Sequence, residues 1–278
     1  MIPPVARRFV AGETMVEALN RAEAVNHDGL GAIINLLGEH YSDRAVVGED
    51  TRSYLDLIDD IHRLDIDACV SVKPTQLGLD VSEALFEEQL RQIVEEAREA
   101  GVFVWIDMEG SETTEPTLQV FESMTEHYPR GVGVCLQANL RRTGRDIERL
   151  NDLPGKIRLV KGAYREPEGL AYRSQTRVNQ AYRAHLETLF RGREWGIAVA
   201  SHDPAMIEYA TQLHEVHGAS FEFQLLMGIA EETQRELRNE HDVYQYIPYG
   251  PRWFSYFTRR LLERTENIKF AFHALRNR

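Results

Sequence analysis

Residues 67–107 read DACVSVKPTQLGLDVSEALFEEQLRQIVEEAREAGVFVWID, and this stretch decides the fold. It begins and ends with short apolar runs rich in β-branched residues, which favour strands. Between them, 82–100 has apolar residues at helical spacing, with Ser82 where an N-cap is expected and Gly101 where a helix ends. The stretch therefore predicts a strand, a helix and a second strand.

The same alternation continues along the chain. Eight runs are predicted to be strands: Gly31–Leu37, Asp67–Lys73, Gly101–Asp107, Gly131–Gln137, Lys156–Lys161, Gly196–Ser201, Ser220–Leu225 and Asp242–Ile247. Helices are predicted at Thr51–Leu64, Ser82–Ala100, after Thr114, and at Gln175–Phe190, Asp203–Val216, Ala230–Glu240, Pro251–Arg264 and Glu266–Arg278. The strand runs are continuously apolar, which is typical of parallel strands covered on both faces.

Eight strand–helix units predict an α/β protein with a (β/α)₈, TIM-like barrel. An open doubly wound sheet is the alternative, but no GxGxxG motif follows the first strand. We expect one domain over 1–278, since such barrels ordinarily run to about 250 residues. Its parts are a helical lead-in (1–28), eight strand–helix units (29–250) and C-terminal helices (251–278).

Composition excludes several classes of protein. The 278 residues carry 44 acidic and 32 basic side chains, a net charge of −12, which argues against nucleic acid as a partner. No apolar stretch reaches the roughly 18 residues of a membrane span, and none near the start suits a secretory signal, so we expect a cytoplasmic protein. The basic residues are strongly biased toward arginine, with 28 arginines and four lysines. A halophilic source and a GC-rich genome both account for this bias.

Polar residues follow nearly every predicted strand, at the barrel end where active sites form. They include Lys73, Asp107, Gln137, Arg158 with Lys161, Ser201 with His202, Glu222 with Gln224, and Tyr246. A single polar residue at a strand end could simply be solvated. The whole set suits a large polar cofactor, with cations to bind its phosphates and amides to bind its heterocycle. No cluster has metal-ligand spacing, and no metal is expected.

The helix predicted after the eighth strand places Tyr256, Arg259, Arg260 and Glu263 on one face, at positions i, i+3, i+4 and i+7. Two guanidiniums beside an aromatic ring suit the carboxylate of an amino acid. A solvated helix with an internal ion pair is the alternative.

Several motifs together resemble the proline dehydrogenase family in order and spacing. They are SVKPTQLGLD, IDME, LQANL with Arg142 following, RLVKGAY, ASHD, EFQLLMG and YIPYGPRWFSYFTRRLLER, and they span most of the chain. The resemblance is closest to the short monofunctional form. It implies a distorted barrel whose C-terminal helix caps the mouth, FAD held non-covalently, and oxidation of L-proline to Δ1-pyrroline-5-carboxylate in proline catabolism. Hydride would pass from proline C5 to flavin N5, and electrons then to a membrane quinone through transient, peripheral contact at the inner face of the cell membrane.

Roles follow residue by residue from the resemblance. Catalytic roles fall on Lys73, Asp107 and Arg158. Substrate-binding roles fall on Lys73, Tyr246, Tyr256, Arg259, Arg260 and Glu263. Cofactor-binding roles fall on Met108, Gln137, Arg158, Lys161, Gly162, Ala163, Tyr164, Ser201 and His202. Two positions depart from the family pattern: Ser201 replaces a threonine, and Pro74 replaces a leucine beside Lys73.

Three alternatives stay open. Another FAD barrel such as methylenetetrahydrofolate reductase shares the cofactor. A Schiff-base aldolase would use Lys73 or Lys161 as its nucleophile. A barrel that only binds or scaffolds would need no flavin. The oligomeric state, the physiological electron acceptor and tolerance of hydroxyproline are also open.

Overall fold

The computed structural model describes residues 2–164 and 166–258, and in them the chain closes into a barrel of eight parallel strands. The strands are β1 (Gly31–Leu36), β2 (Ala68–Val72), β3 (Val104–Ile106), β4 (Val132–Gln137), β5 (Lys156–Val160), β6 (Ile197–Ala200), β7 (Phe221–Leu226) and β8 (Asp242–Tyr249). Each strand pairs with the next in sequence, and β8 returns to β1 with Ile33 opposite Tyr246. The predicted barrel is confirmed.

Helices cover the outside of the barrel. They are α1 (Met15–His27), α2 (Arg44–Leu64), α3 (Glu83–Ala100), α4 (Thr114–His127), α5 (Thr143–Leu150), α6 (Gln175–Gly192), α7 (Pro204–His217) and α8 (Glu231–Leu237), preceded by a 3₁₀ turn at Ala6–Arg8. Residues 253–258 are also helical. The helix predicted at Pro251–Arg264 thus begins two residues later, after a turn at Pro251 and Arg252, and its residues 259–264 lie outside the described residues, as does all of Glu266–Arg278. No helix in 2–164 or 166–258 has the length and hydropathy of a membrane span.

Helix boundaries follow capping chemistry. Ser82 Oγ accepts from the backbone N–H of Leu85 at 3.1 Å, and Gly101 ends α3 in the left-handed conformation, as predicted. Two expectations are corrected. α2 begins at Arg44 rather than Thr51, because the Asp43 side chain caps it by accepting from the N–H of Ala45 at 2.8 Å. A helix not predicted, α5, joins β4 to β5.

Two of the four apolar clusters in the described chain form the barrel's layers. The larger cluster fills the space between barrel and helices, from Ala18 on α1 to Tyr249 on β8. A smaller cluster lies inside the barrel and includes Ile33, Cys69, Trp105, Ala198 and Tyr246. Polar side chains share this interior with it. The barrel interior is thus filled by apolar and polar side chains together.

Candidate active site

Asp107 is the centre of the site at the carboxyl ends of the strands. It follows β3, is 8% exposed, and accepts four hydrogen bonds. One carboxylate oxygen accepts from Ser71 Oγ at 2.8 Å and from Arg158 Nη2, and the other accepts from Lys73 Nζ at 2.9 Å and Tyr246 Oη at 2.7 Å. Donors from three strands or strand ends, those of β2, β5 and β8, therefore meet on one carboxylate, and three of the four donors were predicted site residues.

Electrostatics fix the protonation of this cluster. Burial alone raises the pKa of Asp107, but the positive charges of Lys73 and Arg158 outweigh burial and hold the pKa well below its usual range. Burial lowers the pKa of Lys73, and the Asp107 charge reverses this and raises it. For Tyr246, burial and the Asp107 charge both raise the pKa of the phenol. At neutral pH the cluster is one carboxylate, two cations and a neutral phenol.

Arg158 is held on several sides. Nη1 donates to Gln224 Oε1 at 3.1 Å, and the guanidinium carbon lies 4.9 Å from the ring centre of Trp105 and 5.8 Å from that of Tyr246. Aromatic faces stabilise a desolvated guanidinium. Arg158 is thus a fixed positive charge in the barrel interior.

A cavity of about 200 Å³ lies beside this cluster, above the ends of β1 and β2. It is lined by Leu37, Gly38, Glu39, Lys73, Arg252, Ser255 and Tyr256. The cavity is smaller than the pockets of drug-sized ligands, which run from about 300 Å³. It therefore suits a small molecule, and its charged lining of one carboxylate and two cations suits a zwitterion.

Most of the cavity lining was not predicted. Lys73 and Tyr256 were predicted, whereas 37–39, Arg252 and Ser255 were missed. Residues 37–39 follow β1, so the strand-end rule that found the other positions would have found them. Arg252 lies 4.4 Å over the ring of Tyr41, a contact that no local sequence pattern indicates.

Three of the predicted cofactor residues lie along the rim where β4, β5 and β6 end: Gln137, Lys161 and His202, the last of which also contacts β7. Gln137 is buried and its Nε2 donates to the backbone oxygen of Glu109 at 2.7 Å. Lys161 Nζ donates to Asp203 Oδ2 at 2.6 Å. His202 Nε2 accepts from the backbone N–H of Leu226 at 2.9 Å, so its proton is on Nδ1 in the neutral ring. Lys161 and His202 therefore have fixed orientations.

The remaining predicted residues lie in different environments, and not all of them are on this rim. Ser201 is buried and its Oγ accepts from the N–H of Asp203 at 3.3 Å. Met108 is buried in the main core between barrel and helices. Ala163 is exposed and Tyr164 is half-buried. Arg259, Arg260 and Glu263, the predicted carboxylate-binding residues, lie outside the described residues.

The loop after β5 is tied to its neighbours. Glu166 accepts from Ser111 N at 2.9 Å and from Ser111 Oγ at 2.5 Å, and Tyr172 N donates to the backbone oxygen of Asn139 at 2.7 Å. Gly162 on this loop has φ of +106°, and a Cβ there would lie 2.1 Å from Asn139 Oδ1. That oxygen is buried and has no hydrogen-bond partner in the described part of the chain. Gly162 and the unsatisfied acceptor Asn139 Oδ1 are therefore neighbours on the rim.

Other features of the described chain carry no comparable chemistry. A larger groove of about 590 Å³ lies on the outer surface between α5 and α6, away from the strand ends, and its Arg191 pairs with Glu187. Within 2–164 and 166–258, no three His, Cys, Asp or Glu side chains are grouped to hold a metal ion.

Tyr246 is expected to contribute more to the site than its neighbour on the same strand. Tyr246→Phe removes one of four donors to Asp107, so we expect a several-fold lower turnover and a loss of about 1–3 kcal/mol in unfolding free energy, as for hydrogen bonds to charged groups. Tyr244→Phe is the control, since Tyr244 bonds Asp67 rather than Asp107. Steady-state kinetics and urea unfolding of both variants check this. Equal turnover in the two would contradict a role for the Tyr246 hydroxyl.

Comparisons with known proteins agree on one family. A family model described as proline dehydrogenase matches residues 18–273. The chain is 36% identical over 270 residues to proline dehydrogenase 1 of Bacillus subtilis subsp. natto, covering 96% of this chain and 89% of that protein. It is 34% identical over 275 residues to the proline dehydrogenase of Deinococcus radiodurans, covering 96% and 88%.

Solved structures share the fold. Proline utilization A from Bdellovibrio bacteriovorus, inactivated by N-propargylglycine, superposes with a TM-score of 0.86 at 24% identity, covering 94% of this chain and 32% of that one. Proline utilization A from Corynebacterium freiburgense gives 0.78 at 23% identity, covering 97% and 32%. The chain spans about a third of the length of these structures.

Proposed function

This chain belongs to the proline dehydrogenase family and oxidises L-proline in proline catabolism; we propose that it does so with FAD bound along the rim from β4 to β7 and proline in the cavity beside Lys73. The observation that carries the proposal is that Lys73, one of the two cations paired with Asp107, lines a cavity suited to a small zwitterion. The product we propose is Δ1-pyrroline-5-carboxylate.

The rim residues fit a flavin. Proteins of this family are flavin-dependent, and a dinucleotide needs cations for its phosphates and hydrogen-bonding groups for its ring. Lys161 supplies a cation, and Arg158 and Gln137 lie on neighbouring strands of the rim. The buried Asn139 Oδ1, which lacks a partner in the described chain, supplies an acceptor that a ligand donor would satisfy. A bound flavin supplies the two-electron acceptor that proline oxidation requires.

The chain's own residues place and prepare the substrate. Lys73 lines the cavity and keeps its positive charge through Asp107. A cation close to the substrate nitrogen lowers the pKa of that amine and so favours the neutral, reactive form. Tyr246 and Tyr256 supply aromatic surface for the ring carbons. We propose Arg259 and Arg260 as the clamp on the substrate carboxylate, with Glu263 orienting them.

The aldolase alternative is disfavoured by the state of the two lysines. A Schiff-base lysine must lose its proton, usually through a lowered pKa. Lys73 has a raised pKa because of Asp107, and Lys161 is paired with Asp203. No observation in the described chain favours a folate site.

We propose a membrane quinone as the electron acceptor, which the resemblance supports. The net charge of −12 offers no polybasic anchor, so contact with the membrane would be transient and peripheral. Reduction of a short-chain quinone by the proline-treated protein tests this. Transfer to dioxygen alone would contradict it.

The assignment of the flavin to this rim is tested by glycine substitution. Gly162→Ala places a Cβ against Asn139, so we expect about tenfold weaker FAD binding by the apoprotein, measured by quenching of flavin fluorescence. Gly101→Ala is the matched control, because Gly101 also has positive φ (+73°) but its Cβ would meet nothing within 4 Å. Equal FAD affinity in the two variants would place the flavin elsewhere.

A further inference from the structure

A row of hydrogen-bonded side chains runs from Asp107 through the barrel interior, away from the strand ends. The mechanism proposed above uses Asp107 and Arg158 but not the residues that follow them in this row. Arg158 bonds Asp107 through Nη2 and Gln224 Oε1 through Nη1. Gln224 Nε2 donates to Glu222 Oε1 at 2.7 Å, and Lys156 Nζ donates to the other oxygen of Glu222. We call Asp107, Arg158, Gln224, Glu222 and Lys156 the interior chain.

The register of the strands explains how side chains from β5 and β7 meet across β6. Ala198 of β6 lies opposite Arg158 on one side and opposite Glu222 on the other. Because alanine is small, it leaves room for the longer side chains above it. Arg158, Gln224 and Glu222 are 3%, 4% and 7% exposed, so these contacts are shielded from water.

The glutamine has a defined orientation. A carboxylate accepts hydrogen bonds only, so the Gln224 amide must turn its NH₂ toward Glu222 and its oxygen toward Arg158. The oxygen is a neutral acceptor, which holds the guanidinium without cancelling its charge. The charge of Glu222 is balanced by Lys156. Two cations, Arg158 and Lys73, therefore face the strand-end rim with one carboxylate between them.

We propose that Gln224, oriented by Glu222, is a positioning residue that fixes the Arg158 guanidinium on Asp107 and keeps its positive charge directed toward the rim. The inference rests on the proposed function, because its effect is measured at the flavin and proline sites. A carboxylate in place of Gln224 would compete with Asp107 for Arg158 and cancel the charge that the rim requires.

Gln224→Glu tests this through pH. Protonated glutamic acid has the same shape and donor–acceptor order as glutamine. The Glu222 carboxylate favours this protonated form, whereas Arg158 and Lys156 favour loss of the proton, so the carboxylate forms as pH rises. We expect the ratio of variant to wild-type kcat/KM for proline to fall as pH rises, with a loss of about tenfold at alkaline pH. The apoprotein should bind FAD several-fold more weakly at that pH, measured by fluorescence quenching.

Gln245→Glu is the matched control. Gln245 lies on the adjacent strand, is 1% exposed, and accepts from Arg21 Nη2 at 2.7 Å while donating to Gln234 at 2.8 Å. Its contacts are with α1 and α8, on the outer side of the barrel. For this variant, we expect the ratio of variant to wild-type kcat/KM for proline to stay constant with pH. Its FAD affinity should be unchanged, although its stability changes.

Glu222→Gln is the second variant, isosteric with wild type. It lets the Gln224 amide turn over and present NH₂ to Arg158, so we expect a several-fold lower kcat/KM and weaker FAD binding. The inference is supported if kcat/KM for proline and FAD affinity both fall in Glu222→Gln, both fall with rising pH in Gln224→Glu, and neither falls in Gln245→Glu. Equal behaviour of all three variants would overturn it. Failure of the wild type to bind FAD or oxidise proline would instead contradict the proposed function.

Discussion

Asp107→Ala is expected to abolish most of the activity and to destabilise the fold. The substitution leaves Lys73 and Arg158 buried as like charges without their shared carboxylate. Breaking a buried ion pair on one side costs about 3–5 kcal/mol, and loss of a preorganised charge in an active site lowers turnover on the order of 100-fold. Urea unfolding and steady-state proline oxidation measure the two effects.

Asp146→Ala separates loss of stability from loss of function. Asp146 is also buried and pairs with an arginine, Arg142, but lies on α5 outside the barrel. This variant should lose stability and keep its turnover. If Asp107→Ala kept near-normal kinetics in protein that remains folded, the central role of this carboxylate would be refuted.

The stabilising contribution of the Asp107 carboxylate should decrease at acidic pH. Because the native pKa of Asp107 is lowered, its contribution to stability is complete above the unfolded pKa of about 3.9 and declines as pH falls below it. The difference in unfolding free energy between wild type and Asp107→Asn should therefore be smaller at about pH 3 than at about pH 6. An equal difference at both would show that the native carboxylate is not stabilised by its cations.

Arg193→Met is expected to lower the unfolding free energy by about 3–5 kcal/mol without changing the chemistry. Arg193 follows α6, is 7% exposed, and donates to five backbone oxygens: Leu150 at 3.1 Å, Asn151 at 2.8 Å, Leu153 at 3.2 Å, Trp195 at 3.3 Å, and Gly155. Four of these carbonyls lie at the end of α5 and in the turn into β5, and that of Trp195 lies in the turn between α6 and β6. Removing the guanidinium leaves several of them without a donor.

The control here is a conservative change. Arg193→Lys keeps the charge but has three donors on one nitrogen and cannot reach five separate oxygens, so it should lose about half as much stability. Both variants should bind FAD and oxidise proline normally below their melting temperatures, since Arg193 lies at the opposite end of β5 from the rim. A loss under about 1 kcal/mol for Arg193→Met would mean that water replaces the guanidinium.

The sequence predicts the barrel well because each strand is buried on both faces. A short, continuously apolar run such as Gly131–Gln137 is compatible with few structures other than a buried strand. The ends of the observed strands lie within three residues of the predicted ends. Helix α5 was missed because it is short and mostly polar, with Ile147 and Leu150 as its buried apolar residues. The early start of α2 was missed because Gly48 interrupts the helical pattern after the Asp43 cap.

The sequence predicts which residues come together at the site better than it predicts their contacts. The strand-end rule brings Lys73, Asp107 and Arg158 to one rim, and they do meet. It says nothing of which donor reaches which acceptor, so the bond from Gln224 to Glu222 and the stack of Arg252 on Tyr41 could not be predicted. Those contacts depend on strand register and on how loops close over the barrel, which sequence spacing does not determine.

Oxidation of proline by the bound flavin is measured most directly by the visible spectrum of the FAD-loaded protein, recorded without oxygen before and after L-proline is added. We expect the oxidised flavin band to disappear with proline, and to disappear far more slowly in the Asp107→Ala protein. A protein that binds FAD but keeps the full oxidised band after prolonged incubation with proline would show that this chain does not oxidise proline through its flavin.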